Sequence, residues 1–128
     1  MSIPAPYQQY QQNAVLGAAP EQLTLMLYNG AAKFINLAVQ AVDKRDITGA
    51  HNAIVRAQDI ILHLMDTLNE EFVISGNLAG LYDYMHRRLI EANAKKDPEI
   101  LREVKGMAEE LKDTWDKAVK LARSGPRG

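Results

Sequence analysis

Apolar residues recur along the chain at alternating gaps of three and four, the spacing that puts one stripe on the face of an α-helix. The first such run follows Pro20 and comprises Leu23, Leu27, Gly30, Phe34, Leu37 and Ala41, ending in the charged turn Asp43-Lys44-Arg45-Asp46. The second comprises Ile47, Ala50, Ile54, Ala57, Ile61, Leu64 and Leu68, with Thr48 placed to cap its start and Glu70 and Glu71 at its end. After an apolar connection over 72–77, a third and shorter run carries Leu78, Tyr82, Met85, Leu89 and Ala92. Lys95-Lys96-Asp97-Pro98 stops it and starts a fourth, with Asp97 as N-cap and Pro98 in the first turn, where a missing N–H costs nothing. The fourth face is Leu101, Val104, Ala108, Leu111, Trp115, Ala118 and Ala122.

No strand-like alternation competes with these periods. Four amphipathic helices joined by short links predict an all-α fold, an antiparallel up-down four-helix bundle. The expected organisation is an N-terminal segment over 1–19, a bundle over 20–123 and a frayed tail over 124–128. Composition agrees: the chain is 47% hydrophobic yet only 6% aromatic, and alanine and leucine dominate. Its 128 residues suffice for one core.

Charge and candidate chemistry mostly exclude. Fifteen basic residues against sixteen acidic ones leave a net charge of -1, which argues against an electrostatic nucleic-acid binder. The absence of cysteine removes disulfide scaffolds, thiolate zinc sites and cysteine nucleophiles. No apolar stretch is long enough to insert in a membrane, and residues 1–19 lack the basic start of a signal peptide, so a cytosolic protein is expected. A di-iron bundle needs inward Glu and Glu-x-x-His motifs, and no such motif occurs. The pairs Asp83 with His86 and Asp59 with His63 fit ordinary surface hydrogen bonding. Neither an enzyme nor a cofactor is expected.

Three features remain. Residues 1–19 carry no charged side chain and hold Tyr7 and Tyr10 among glutamines, which leaves two readings open: a disordered tail, or an amphipathic lid that docks on the bundle. Apolar residues exceed what the four seams use, and the surplus includes Met26, Ile35, Val39, Ile60, Leu62, Met65, Leu81, Ile90 and Leu121. A wide helical stripe absorbs many of these, and any left exposed together would form a binding groove. Each helix also carries a methionine, Met26, Met65, Met85 and Met107, suited to filling gaps or to repacking around a partner.

The order of short motifs is similar to that of one family. Tyr10, the stretch Ala18-Ala19-Pro20-Glu21-Gln22-Leu23 and Met26-Leu27-Tyr28-Asn29-Gly30-Ala31 come first. Arg56-Ala57-Gln58-Asp59-Ile60-Ile61, Leu81-Tyr82-Asp83-Tyr84-Met85, Ala92-Asn93 and Leu111 before Trp115 follow. Over roughly residues 7 to 118 the chain resembles the flagellar secretion chaperone FliS family. Two positions depart from its pattern: Asn29 replaces an acid, and Ala19 replaces the serine before Pro20, which removes a cap worth about 1 kcal/mol.

The resemblance implies a cytosolic export chaperone. It would hold the C-terminal region of flagellin in apolar grooves, prevent premature polymerisation and deliver it to a component of the flagellar type III export gate. The client would wrap along the bundle, and the N-terminal segment would cover part of the same surface. On this reading Tyr7 and Tyr10 anchor the lid, while Ile60, Met65, Leu81, Tyr82 and Met85 contribute to partner binding. The chain would be a monomer or weak homodimer. The alternative is a generic four-helix adaptor or homo-oligomerisation module whose apolar surplus buries against a second copy.

Overall fold

The computed structural model describes residues 20–68 and 73–124. The expected segment over 1–19, with Tyr7 and Tyr10, and the tail over 125–128 lie outside the described residues. Four helices follow in order: α1 (Pro20–Asp43), α2 (Ile47–Asp66), α3 (Val73–Lys95) and α4 (Pro98–Ser124). Each helix packs on its neighbours around a square, α1 on α2 and α4, α3 on α2 and α4, with the α1 seams the more extensive.

Cross-helix bonds fix the directions. Lys105 donates to Asn36 Oδ1 at 3.3 Å and the Trp115 indole donates to the Glu21 carbonyl at 2.8 Å, so α4 descends as α1 ascends. His51 at the start of α2 meets Asn93 near the end of α3 at 2.9 Å, so these two are antiparallel as well. This is the up-down bundle that the periodicity predicts.

Two turns at one end are built alike. Arg45 and Lys96 adopt the left-handed conformation, with φ of 60° and 51°. Each is followed by an amide that reaches back five residues, Asp46 to the Ala41 carbonyl at 2.8 Å and Asp97 to the Ala92 carbonyl at 3.2 Å. This closes the last carbonyls of α1 and α3 in the manner of a glycine-ended helix. The same two aspartates then open the next helices. Asp46 accepts from the Gly49 amide at 2.9 Å and Asp97 from the Glu99 amide at 2.9 Å. The cap of α2 is therefore Asp46 and not Thr48, because the tight turn brings the earlier residue over the free amides.

The core holds Tyr28, Ala31, Ile35, Ala38, Ile54, Ala57, Ile61, Leu64, Tyr82, Met85, Leu89, Leu101, Val104 and Ala108. Most of the stripes read for α2 and α3 are buried, but Ile47 stands 55% exposed at the first position of α2, Leu78 is half-buried, and Leu68, also half-buried, lies past the end of α2 at Asp66. In α4 the stripe is right through Ala108, with Leu111 and Trp115 half-buried, but Ala118 and Ala122 are exposed. They lie past Trp115, where α1 has already ended at Pro20.

The stripe of α1 is shifted. Thr24, Tyr28, Ala31, Ile35, Ala38 and Val39 face the core, while Leu23, Leu27, Gly30, Phe34 and Ala41 are half-buried and Leu37 is 42% exposed. Small Ala31 and Ala38 win the interior because helices approach more closely over alanine than over leucine. The apolar connection expected over 72–77 is also corrected. Helix α3 already runs from Val73, and α2 ends at Asp66 with Thr67 as its C-cap, before Glu70 and Glu71.

Candidate functional site

The residues singled out from sequence fall on different seams. On α2, Ile60 is half-buried and leans toward α1, where a Cβ on Gly30 would come within 3.2 Å of Ile60 Cδ1. Met65 is half-buried on the opposite flank of α2, seven residues on from Gln58. Gln58 and His51 line a cleft with Ile90, Asn93 and Ala94 of α3 and with Lys96 in the turn after it. Leu81 is half-buried on α3, three and seven residues before Tyr84 and Arg88. Those two side chains bond to Glu103 of α4, so Leu81 shares the flank that meets α4. Ile60, Met65 and Leu81 thus belong to three successive seams and not to one groove.

Tyr82 and Met85 are 1% and 0% exposed. They form the floor beneath the α3 seams and offer no surface of their own in this arrangement. The Tyr82 hydroxyl meets that of Tyr28 across the core, with ring centroids 6.4 Å apart, so two motif tyrosines satisfy one another. Burial pushes both phenols above their ordinary range, since a phenolate would lose its hydration there.

Of the surplus apolar residues, Ile35 and Val39 are core, whereas Met26, Leu62, Ile90 and Leu121 are exposed. Sequence reasoning missed Leu37 and Ile47, which it assigned to the interior. Leu62 of α2 and Ile90 of α3 flank the same seam. At the foot of the bundle Trp115, Ala118, Val119 and Ala122 of α4 line a cleft closed on one side by Glu21. Its signal was present in the α4 stripe, which runs longer than α1 can cover.

Charges are distributed unevenly. The Glu103 carboxylate accepts from the Tyr84 hydroxyl at 3.0 Å and from Arg88 Nε at 2.8 Å, while Arg88 also reaches Glu91 at 2.6 Å. The Arg88 hydrogen bond holds the Glu103 carboxyl below its ordinary range, and that to Lys95 does the same for Glu91. Asp83 pairs with Arg87 at 2.9 Å. On the α1–α2 side, by contrast, Lys33 and Arg56 each sit 5.8 Å from the centre of the Phe34 ring. Among the described residues no group of three metal-ligating side chains comes together, and no helix is long and apolar enough to cross a membrane.

A family model described as flagellar protein FliS matches residues 3–122, nearly the whole chain. The chain belongs to the FliS family. Curated FliS relatives agree along its length. The flagellar secretion chaperone FliS of Bacillus subtilis is 44% identical over 128 residues, covering 100% of this chain and 96% of that protein. The Salmonella typhimurium protein of the same name is 35% identical, covering 81% of this chain and 79% of its own. Flagellar secretion chaperone FliSB of Pseudomonas aeruginosa is also 35% identical, over 84% and 90% of the two chains. The expected family and the all-α bundle therefore stand together, and the FliS relatives are chaperones, not enzymes.

Proposed function

We propose that this chain is a cytosolic export chaperone that binds the C-terminal region of flagellin, keeps it from polymerising and hands it to the flagellar export gate. The observation that carries the reading is the spread of accessible apolar residues over successive seams of a FliS-family bundle. A single groove suits one helix, whereas seams on several sides suit a disordered chain that folds as it wraps. Ile60, Met65 and Leu81 supply apolar edges in three of those seams, with Tyr82 and Met85 as their floor. Residues 1–19, through Tyr7 and Tyr10, act as a lid that competes for part of the same surface.

The test is co-purification and titration calorimetry with a flagellin C-terminal segment, using wild type and the substitutions Ile60→Asp and Leu81→Asp. The expected outcome is a 1:1 complex with wild type and a folded variant that has lost the client. An unfolded variant assigns that residue to the core. A wild-type chain that elutes as a dimer and ignores the segment would support the homo-oligomerisation reading instead.

A further inference from the structure

The chain passes from α2 to α3 at one end of the bundle, so at the other end the start of α2 and the end of α3 meet with no covalent link between them. A short run of polar side chains joins them there. Lys96 follows α3 in the left-handed conformation, with φ of 51°. Its ammonium folds back to donate to the Asn93 carbonyl at 2.6 Å and to Asn93 Oδ1 at 2.8 Å. Asn93 in turn reaches across the seam, with its Nδ2 2.9 Å from His51 Nδ1. Ile90, 48% exposed, stands beside this contact in the cleft that His51, Gln58 and Lys96 help to line.

Donor and acceptor roles in this run are forced from one end. An ammonium only donates, so the Asn93 side-chain atom it touches is the oxygen, and the amide nitrogen is left to face the imidazole. That nitrogen also only donates, so His51 Nδ1 has to accept, and the ring carries its proton on Nε2. A protonated imidazole donates from both nitrogens and has no lone pair for the amide. Asn93 cannot turn over to offer its oxygen instead, because Lys96 would then meet the amide nitrogen. Among the described residues no carboxylate bonds to His51. Lys96 lines the cleft on one side of the ring, and Arg56 and Asp59 line that on the other, with Asp59 about two turns along α2. In the adjoining turns Lys95 pairs with Glu91, Asp46 and Asp97 cap α2 and α4, and Lys44 and Arg45 are exposed. The charge that faces the ring across the seam is thus the Lys96 ammonium, of the same sign as a protonated imidazole.

We propose that His51, Asn93 and Lys96 form a pH-operated latch between the start of α2 and the end of α3, closed while His51 is neutral and released when its ring is protonated. Histidines as a class take up that proton at about pH 6.5, so acidification through that range breaks the tie. Release loosens one end of the α2–α3 seam beside the exposed Ile90. It leaves the α1–α4 seam, with the Trp115 bond to Glu21, as it was. The latch does not depend on the chaperone reading, since every group in it belongs to this chain.

Amide hydrogen exchange of the full chain at about pH 7.5 and about pH 5.5, corrected for the intrinsic rate at each, reads the latch. The chains compared are wild type, His51→Gln and Asn93→Asp. The glutamine oxygen accepts from Asn93 at either pH, whereas the aspartate accepts from both Lys96 and a protonated ring. His51 is exposed and Asn93 half-buried, and circular dichroism checks that each variant is folded. In wild type, protection over the first turns of α2 and the last turns of α3 should fall about two- to ten-fold on acidification, the effect of losing one hydrogen bond. Protection around Trp115 should not change. His51→Gln should show no such fall, and Asn93→Asp should abolish or reverse it. His63 and His86 are common to all three chains and cancel from the comparison. No fall in wild type, or a fall of equal size in either variant, overturns the latch. So does nitrogen NMR that places the His51 proton on Nδ1 at about pH 7.5.

Discussion

Tyr28 and Tyr82 lie 54 positions apart, and each is the other's hydrogen-bond partner at the centre of the bundle. Removing one hydroxyl strands its partner in the core, whereas removing both strands neither. Tyr28→Phe or Tyr82→Phe alone should therefore cost about 1–3 kcal/mol in urea unfolding, and the double substitution less than the sum of the two. Additive losses would show that the hydroxyls act independently. Alkali offers a second check. Both folded phenols titrate above the unfolded value near 10, so their contribution is complete below that pH and fades as pH rises past it. Above pH 10, wild type should lose stability more steeply than the double phenylalanine variant. These roles were only half legible in the sequence: both tyrosines stood out within motifs, but a hydroxyl pair across the core leaves no mark on local spacing.

At the scale of elements, the helices themselves were legible wherever one apolar stripe dominated. Helices α2 and α3 bury most of the residues that their spacing indicates, although Ile60, Leu62, Met65, Leu81 and Ile90 stand beside those stripes. Helix α1 carries two adjacent stripes, and the one rich in leucine and phenylalanine is the flank, while alanines and tyrosine fill the core. Hydrophobicity ranks the larger side chains first, but close packing of helices can rank the smaller ones first. The start of α3 escaped for another reason: Ser75, Gly76 and Asn77 read locally as a loop, yet the helix runs through all three, with Gly76 and Asn77 exposed. The paired turns give a clean prediction. Arg45 holds a left-handed φ of 60° that costs a residue with a Cβ about 1 kcal/mol. Arg45→Gly should raise stability by about 0.5–1 kcal/mol in denaturant titration, and a loss there would mean the arginine side chain matters more than its backbone. The α3–α4 seam relies on polar groups, with Glu103 bridging Tyr84 and Arg88. Glu103→Ala should speed amide hydrogen exchange in the middle of α3 selectively, leaving α1 and α2 protected. Uniform acceleration would mean the bundle opens only as a whole.

For the whole molecule, the unequal lengths of the helices matter most. Helix α4 runs 27 residues, and its last nine extend past the point where Trp115 bonds to the first turn of α1. The cleft of Trp115, Ala118, Val119 and Ala122 therefore opens at the end of the bundle where residues 1–19 join Pro20. If that segment closes over apolar surface that the client also needs, the apparent affinity falls by the fraction of molecules that are open. Deleting residues 1–17 should then tighten binding of a flagellin C-terminal segment, by about ten-fold for a lid closed about nine-tenths of the time. A lid seldom closed would give little change, and Trp115, the chain's single tryptophan, reports the difference directly. Its emission should shift to the red on deletion if the segment shields the α4 cleft. A large loss of affinity on deletion would instead make Tyr7 and Tyr10 direct contacts of the client. The lid would then be part of the seat, and competition between lid and client would have to be abandoned as the control on release.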